Sequence, residues 1–318
     1  MPAVPLVRVV RSGFEEAVHA GSVAVADADG RLIAALGEAH RPTFARSSMK
    51  PLQAAVSLTL AAEDLPDEEV AVMCGSHNGE PTHIATVRSL LRRAGLDFGE
   101  LRTPPSRPLD EEAAAAVPEP RAEFHNCSGK HAGMLLASVR RGFDLETYRE
   151  PDHPIHGAVL EAVRGAAGNP VAVGVDGCGI PVHALPLASL ATMYARLATP
   201  GAVPGADRSV AAMRAAPYLV AGRNRMCTAV MEALPEVVVK VGAEGLVCAG
   251  VIERGIGVAV KVEDGSARAA EPALLRALTI LGFLSGQQAG KLRPFARPPV
   301  MGGGRPVGEL LADFALPA

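Results

Sequence analysis

A serine three residues ahead of a lysine, Ser47 and Lys50 in Phe44-Ala45-Arg46-Ser47-Ser48-Met49-Lys50-Pro51, is the smallest unit of this sequence that could perform chemistry. On a helix, positions i and i+3 share one face a turn apart, so the Lys50 amine can reach the Ser47 hydroxyl. Pro51 suits a first helical turn, and a helix N-terminus offers free N–H groups and positive potential, which favour an oxyanion and a neutral amine. A desolvated lysine beside positive groups has a lowered pKa and can serve as a base toward a serine nucleophile. The same residues also describe a helix cap with a solvated lysine, so the pair needs support from elsewhere in the chain.

That support comes from three other segments. Cys74-Gly75-Ser76-His77-Asn78-Gly79-Glu80 is a small-residue turn ahead of a helix. Its Ser76-x-Asn78 has the spacing of the Ser-Asp-Asn element of serine penicillin-recognising enzymes, which combine it with Ser-x-x-Lys and a lysine on a sheet strand. Lys261, at the end of the strand pattern Gly257-Val258-Ala259-Val260, supplies such a lysine; an edge-strand lysine facing water is the other reading. His125-Asn126-Cys127-Ser128-Gly129-Lys130-His131 and Asp176-Gly177-Cys178-Gly179 bring two thiols, a lysine and an aspartate onto glycine-rich turns. Deprotonated, these groups could ligate a soft divalent cation such as zinc, although their spacing is no zinc motif and free buried cysteines fit as well. Gly129-Lys130 lacks the upstream glycine and the following serine or threonine of a phosphate loop, which excludes that mode of nucleotide binding.

The elements that must hold these groups can be read from periodicity. Alternation at Val4-Leu6-Arg8-Val10 and again around Ser22–Val25, with Asp29-Gly30 as a turn before Leu32, predicts an antiparallel meander. Apolar residues at four-residue steps predict helices over 48–62, 81–94 and 130–141, and further helices are expected near 185–197, 207–216, 223–234 and 272–284. Residues 100–122 read as a loop around one short helix, and 171–175, 237–241, 246–252 and 256–262 as strands. The Gly/Pro-rich stretch beyond Gln287 is expected to be irregular. Strands at both ends with helices between them predict an α+β fold, a single domain 1–318 with two intimately packed lobes and one sheet joining the terminal strands.

Bulk properties remove competitors. A chain of 318 residues buries roughly three quarters of its unfolded surface and needs no staples. With 31 Lys and Arg against 34 Asp and Glu, its net charge of -3 implies neither nucleic acid nor an anionic membrane as partner. Five widely spaced cysteines without a CxxC pair favour free thiols and a reducing compartment. The opening residues lack the layout of a signal peptide and no apolar run is long enough to span a bilayer, so a cytoplasmic protein is expected.

Taken together, Arg46-Ser47-x-x-Lys50-Pro51, Ser76-His77-x-Gly79-Glu80, Asn126-Cys127-Ser128-Gly129-Lys130-His131, Asp176-Gly177-Cys178-Gly179 and Lys261-x-x-Asp264-Gly265 resemble, in order and spacing, the Rhizobium etli type, or class 3, L-asparaginases. The resemblance implies a fold similar to serine β-lactamases and glutaminases, a central mainly antiparallel sheet flanked by helices, and a homodimer. It implies hydrolysis of L-asparagine by two Ser-Lys pairs, Ser47 with Lys50 and Ser76 with Lys261, with Ser47 as nucleophile. Also implied are a zinc ion on Cys127, Lys130 and Cys178 that shapes the pocket rather than activating water, and no organic cofactor. Substrate contacts are implied for Arg46, His77, Asn78, Glu80, Asp176, Gly177 and Cys248, the last of which reads equally as a core residue. One departure is Cys227, which stands where the family pattern leads one to expect an acid. A β-lactam or D-peptide hydrolase would use the same Ser-x-x-Lys logic, but its substrates lie outside the cytoplasm. An idle binding protein is the remaining alternative, and it has no need of two buried lysines. The choice between asparagine and glutamine rests on about one methylene, roughly 1–3 kcal/mol, which no motif encodes.

Overall fold

A computed structural model describes residues 2–252 and 254–317. From the N-terminus the chain forms β1 (Val4–Arg11), β2 (Phe14–Asp27), β3 (Leu32–Leu36) and β4 (Pro42–Phe44), then α1 (Lys50–Ala61), α2 (Asp67–Met73), α3 (Pro81–Arg93), α4 (Glu111–Ala116), α5 (Ser128–Arg141) and α6 (Pro154–Ala167). The hairpin β5 (Ala172–Val175) and β6 (Pro181–Pro186) leads into α7 (Leu187–Leu197), α8 (Ala206–Ala215), α9 (Pro217–Val220) and α10 (Met226–Ala233). The last third holds β7 (Val237–Val241), β8 (Leu246–Val251), β9 (Ile256–Val262), α11 (Ala267–Ile280), two short helices α12 (Gly286–Lys291) and α13 (Arg293–Ala296), and the hairpin β10 (Pro299–Gly302) and β11 (Arg305–Ala312).

These elements form two compact units. The first comprises Met1–Ser48, Leu185–Thr199 and Ala229–Ala318; the second comprises Met49–Ala184 and Pro200–Thr228.

The first unit is built on an antiparallel sheet in the order β10-β11-β1-β2-β9-β8-β7, with β3 pairing the far part of β2. Chain-distant strands therefore meet at its centre: Ser22 of β2 stands opposite Lys261 of β9, and Lys261 opposite Leu246 of β8. Side-chain alternation divides β9 into two faces. Gly257, Ala259 and Lys261 share one face, and a Cβ on Gly257 would lie 1.9 Å from the Ala191 carbonyl of α7. Gly250 of β8 is crowded in the same way by the Tyr194 carbonyl. Small residues thus let α7 approach the sheet backbone closely, while the branched Val258, Val260 and Val262 fill the other side, where α11 packs.

Two departures from the expectations above bear on this sheet. Residues 14–20, unassigned in the sequence, extend β2 because Ser12 (φ 50) and Gly13 (φ 83) make a tight left-handed turn that starts the hairpin with β1. The tail beyond Gln287, expected to be irregular, instead forms α12, α13 and the β10–β11 hairpin, and β11 continues the sheet by pairing with β1. Its glycines at 303 and 304 are turn residues of that hairpin (φ 57 and 76).

The second unit is helical, apart from the β5–β6 hairpin. Helix α1 is buried along nearly its whole length, from Lys50 through Leu58, and packs on α5, α6 and α8. Helix α2 and helix α6 carry no clear signal in the sequence; the former is short, and the latter begins at the Pro154 that follows His153, whose side chain accepts from the Ile155 N–H as an N-cap. All five cysteines are buried. Among the described residues no helix is long and apolar enough to cross a membrane.

Candidate active site

In the second unit, the Lys50 side chain runs inward from the first residue of α1 and is 1% exposed. Its Nζ lies 2.6 Å from the Gly75 carbonyl, 2.9 Å from Ser76 Oγ and 3.3 Å from the Asn126 carbonyl. Protonated, the amine donates to all three. Neutral, it keeps two hydrogens for the two carbonyls and turns its lone pair to Ser76, whose hydroxyl then donates. Burial lowers the pKa of Lys50, with Lys130 adding to the effect and the thiol groups of Cys127 and Cys178 opposing it.

The loop that presents Ser76 is pinned by backbone. The Ser76 N–H donates to the Val220 carbonyl (2.9 Å) and the Asn78 N–H to the Ala221 carbonyl (2.8 Å). His77 is locked from both sides: its Nδ1 accepts from the Gly79 N–H (3.1 Å), so its proton sits on Nε2 and donates to Ser128 Oγ (3.0 Å), which in turn donates to the Glu123 carbonyl (2.9 Å). Burial, with His83 stacked beside it, pushes the pKa of His77 well down and keeps the ring neutral. Asn78 spends its amide on Glu80 Oε1 and the Arg223 carbonyl and its oxygen on Arg225. Glu80 accepts from Tyr218 and from the Arg223 N–H. Burial works against that carboxylate's charge, but these bonds outweigh it and hold its pKa below the usual value. Gly222, at φ 114, closes the network, because a Cβ there would lie 2.4 Å from Glu80 Oε1. His77, Asn78 and Glu80 are therefore the scaffold on which Ser76 stands. Tyr218, Arg223, Arg225 and Asp110 belong to the same network, since the Arg223 guanidinium clasps both Asp110 oxygens (2.7 and 2.9 Å). Only the Ala221-Gly222 turn hints at this in the sequence. Cys227, at the position of an expected acid, is buried near the start of α10.

The sulfur-bearing segments also meet in this unit. Gly129 lets α5 touch α2, its absent Cβ leaving room for the Val72 carbonyl (2.3 Å), and this contact sets Cys127 and Lys130 in the interior. Lys130 Nζ lies 2.9 Å from Cys178 Sγ, and Cys178 hydrogen-bonds Cys127. That bond, together with the positive charges of Lys50 and Lys130, lowers the Cys127 pKa well below a free thiol's, while the Cys178 thiol is pushed up. Burial disfavours the Lys130 ammonium, but the neighbouring thiol groups outweigh it and raise its pKa. Asp176 and Gly177 form the tight turn ahead of Cys178, with the Gly177 N–H on Asp176 Oδ1 (2.8 Å). Among the described residues no group of three or more His, Cys, Asp or Glu is placed to hold a metal, so an ion here would take the lysine as its third ligand. Two sulfurs joined to an amine through Cys178 would be a donor set for a soft divalent cation such as zinc only with Lys130 deprotonated, so an incoming ion has to displace the proton that the neighbouring thiols help to hold. Nearby, His131 accepts from Tyr148 on Nδ1, and its Nε2 is buried without a hydrogen-bond partner among the described residues.

The remaining candidates lie in the first unit. Ser47 belongs to the short 3-10 turn Arg46–Met49, which runs directly into Lys50. Arg46 sits at φ 47, left-handed for a non-glycine residue, a conformation that costs on the order of 1–3 kcal/mol. The turn is anchored by the Tyr194 hydroxyl on the Ser48 carbonyl (2.7 Å) and by Ser48 Oγ on the Ala45 carbonyl (2.6 Å). Cys248, buried at the centre of β8, hydrogen-bonds with Ser48, and burial pushes its thiol up to about 12. Lys261 Nζ donates to the Val262 carbonyl (2.5 Å), and partial burial lowers its pKa with help from Arg41, against Glu263, Glu244 and Asp264.

No curated protein matches the chain. Among solved structures it is similar to a β-lactamase from Mycobacterium bovis, at 18% identity over 83% of this chain and 95% of that one, with a TM-score of 0.45. It is also similar to Mglu, at 16% identity over 81% of this chain and 66% of that one (TM-score 0.37), and to Mglu in its glutamate form, at 17% identity over 83% and 61% (TM-score 0.39). At the level of sequence families the match covers nearly the whole chain: the L-asparaginase II model spans residues 7–312, and the protein belongs to that family of amidohydrolases.

Proposed function

We propose that the protein is an L-asparaginase of the Rhizobium etli type, which hydrolyses L-asparagine to L-aspartate and ammonia through a serine acyl-enzyme. The observation that carries this reading is the buried Lys50 amine, held by two backbone carbonyls and facing the Ser76 hydroxyl. Ser47, three residues before it, is the nucleophile. Lys50 takes the Ser47 proton as the serine oxygen attacks the side-chain carboxamide carbon; the C–N bond then breaks, and the nitrogen leaves as ammonia with a proton delivered through Lys50 and Ser76. Water attacks the resulting ester, gives its proton to the same relay, and releases aspartate with Ser47 restored.

His77, Asn78 and Glu80 serve this chemistry by holding the Ser76 loop. Lys261 as a second base, and Arg46, Asp176, Gly177 and Cys248 as substrate contacts, are assigned from the sequence resemblance. A zinc ion on Cys127, Lys130 and Cys178 would supply a fixed positive pole for the α-carboxylate end of the substrate. Ser76 and Lys50 would then move protons and the metal-bearing segment would set the substrate's position. A homodimer working in the cytoplasm completes the proposal.

The test is ammonia release from L-asparagine and, in parallel, L-glutamine by the purified protein at pH 7 to 9. Release from asparagine that disappears in Ser47→Ala supports the reading; turnover retained in that variant removes Ser47 as nucleophile, and silence with asparagine removes the substrate.

A further inference from the structure

Within the first unit, a cavity of about 580 Å³ lies among α11, α12, α13 and the strands β1 and β11. Four arginines line it, Arg8, Arg276, Arg293 and Arg297, against a single acid, Asp313. Its volume falls in the usual range for small-molecule sites, roughly 300–1,000 Å³. The leucines at 275, 284 and 311 give it an apolar floor.

Pairing inside the protein does not use up these guanidinium groups. Arg8 is the most committed of the four, with Nη2 on Asp313 at 2.7 Å, Nη1 3.6 Å from Glu15 and Nε buried, and it contributes positive charge to the wall. Arg276 donates from Nε to the Phe314 carbonyl (3.1 Å), and its two terminal nitrogens have no partner among the described residues. Arg293 and Arg297 share one carboxylate, Glu309, at 3.8 and 3.4 Å, distances too long to saturate either. Guanidinium forks match the oxygens of carboxylates and phosphates in pairs, and they bind such groups far better from a partly enclosed, low-dielectric pocket than from open water.

We propose that this cavity is a binding site for a small organic oxyanion, a carboxylate or phosphate carried on an apolar body. The oxyanion is held by Arg276 and Arg297, with the charge of Arg8 behind them, and the body rests on the leucine floor. An oxyanion on an apolar body is distinct from the polar amino-acid amide on which the proposed chemistry acts.

Titration calorimetry on the full chain at constant ionic strength tests this with phenyl phosphate, benzoate, inorganic phosphate and, as a neutral control, benzyl alcohol. Saturable binding of phenyl phosphate or benzoate is expected, absent for benzyl alcohol and weakened at least tenfold in the Arg276→Gln/Arg297→Gln variant. Preference between the two aromatic anions says whether the natural ligand carries phosphate or carboxylate. Binding of inorganic phosphate as tight as that of phenyl phosphate removes the role of the leucine floor and overturns the organic-ligand proposal. So does the absence of saturable binding, or binding undiminished in the variant. Arg297→Gln alone changes a half-exposed side chain and guards against misfolding of the double variant: a tenfold loss there with an unchanged melting temperature supports the site.

Discussion

Lys50 Nζ and Ser76 Oγ lie 2.9 Å apart, although 26 residues of chain separate them. The Gly75 and Asn126 carbonyls that it also meets cannot pass on a proton, whereas Ser76 can, as can the Cys127 thiol with which the lysine also hydrogen-bonds. Ser76→Ala should therefore lower kcat by about 10²–10⁴-fold, the usual worth of a positioned proton-transfer group. The fold should hold, because the loop is pinned by the Ser76 and Asn78 backbone N–H groups, which the substitution leaves in place. Circular dichroism and steady-state ammonia assays check both halves, and near-wild-type turnover would remove Ser76 from the relay.

The same lysine sets a pH dependence. As a base it works unprotonated, and burial places its pKa below the ordinary 10.5. kcat/KM should rise with pH along a single limb as Lys50 loses its proton, with the midpoint below 10.5. A profile measured from pH 6 to 10 that shows no rising limb would count against Lys50 as the base.

Acid should also weaken the fold. Burial holds His156 down to about 4 from its ordinary 6.5, and His77, His83, His131 and His183 shift in the same direction for the same reason. A depressed folded-state pKa means that the unfolded chain binds protons first. The stabilisation is therefore complete above pH 6.5 and is lost as pH falls toward 4, by about 3 kcal/mol for His156 alone. Urea unfolding at pH 7.5, 6 and 5 should show this decline; stability unchanged across the series would contradict it.

Zinc should bind the second unit if Cys127, Lys130 and Cys178 act together. Near-saturating zinc should raise the melting temperature of the wild type, with a stabilisation of about 2.7 kcal/mol at a hundredfold excess over Kd, and Cys178→Ser should abolish the effect. Chelation should raise KM for asparagine more than it lowers kcat, as expected of an ion that positions substrate. Equal losses in both would point to metal-activated water.

Much of this was legible in the sequence, for identifiable reasons. Strands and helices with a strict period, such as β7 to β9 and α3, appear close to their expected limits, and the antiparallel sheet joining the two ends of the chain follows from the placement of strands. Chemistry written in short spacings was visible too, as with Ser47 and Lys50. The Lys50–Ser76 bond was hidden because nothing local encodes a contact across 26 residues, and i, i+3 proximity directed attention to Ser47 instead. The commitment of Asn78 and Glu80 to Tyr218, Arg223 and Arg225 was hidden for the same reason: it depends on how residues 217–225 return to the loop. At the tail, glycine and proline suggested irregular structure, yet there they turn a hairpin.

Arg46, held left-handed one residue before the proposed nucleophile, has an evolutionary consequence. A selection for thermal robustness alone would favour glycine or asparagine at 46, because either tolerates this backbone at lower cost. Libraries screened for survival at high temperature should therefore drift toward those residues, and, if Arg46 contacts substrate as proposed, their winners should be poorer catalysts, which parallel activity assays on the enriched clones would reveal. Heat resistance and turnover would then be traits in conflict at this codon, and a breeder of the enzyme would need to select for both at once.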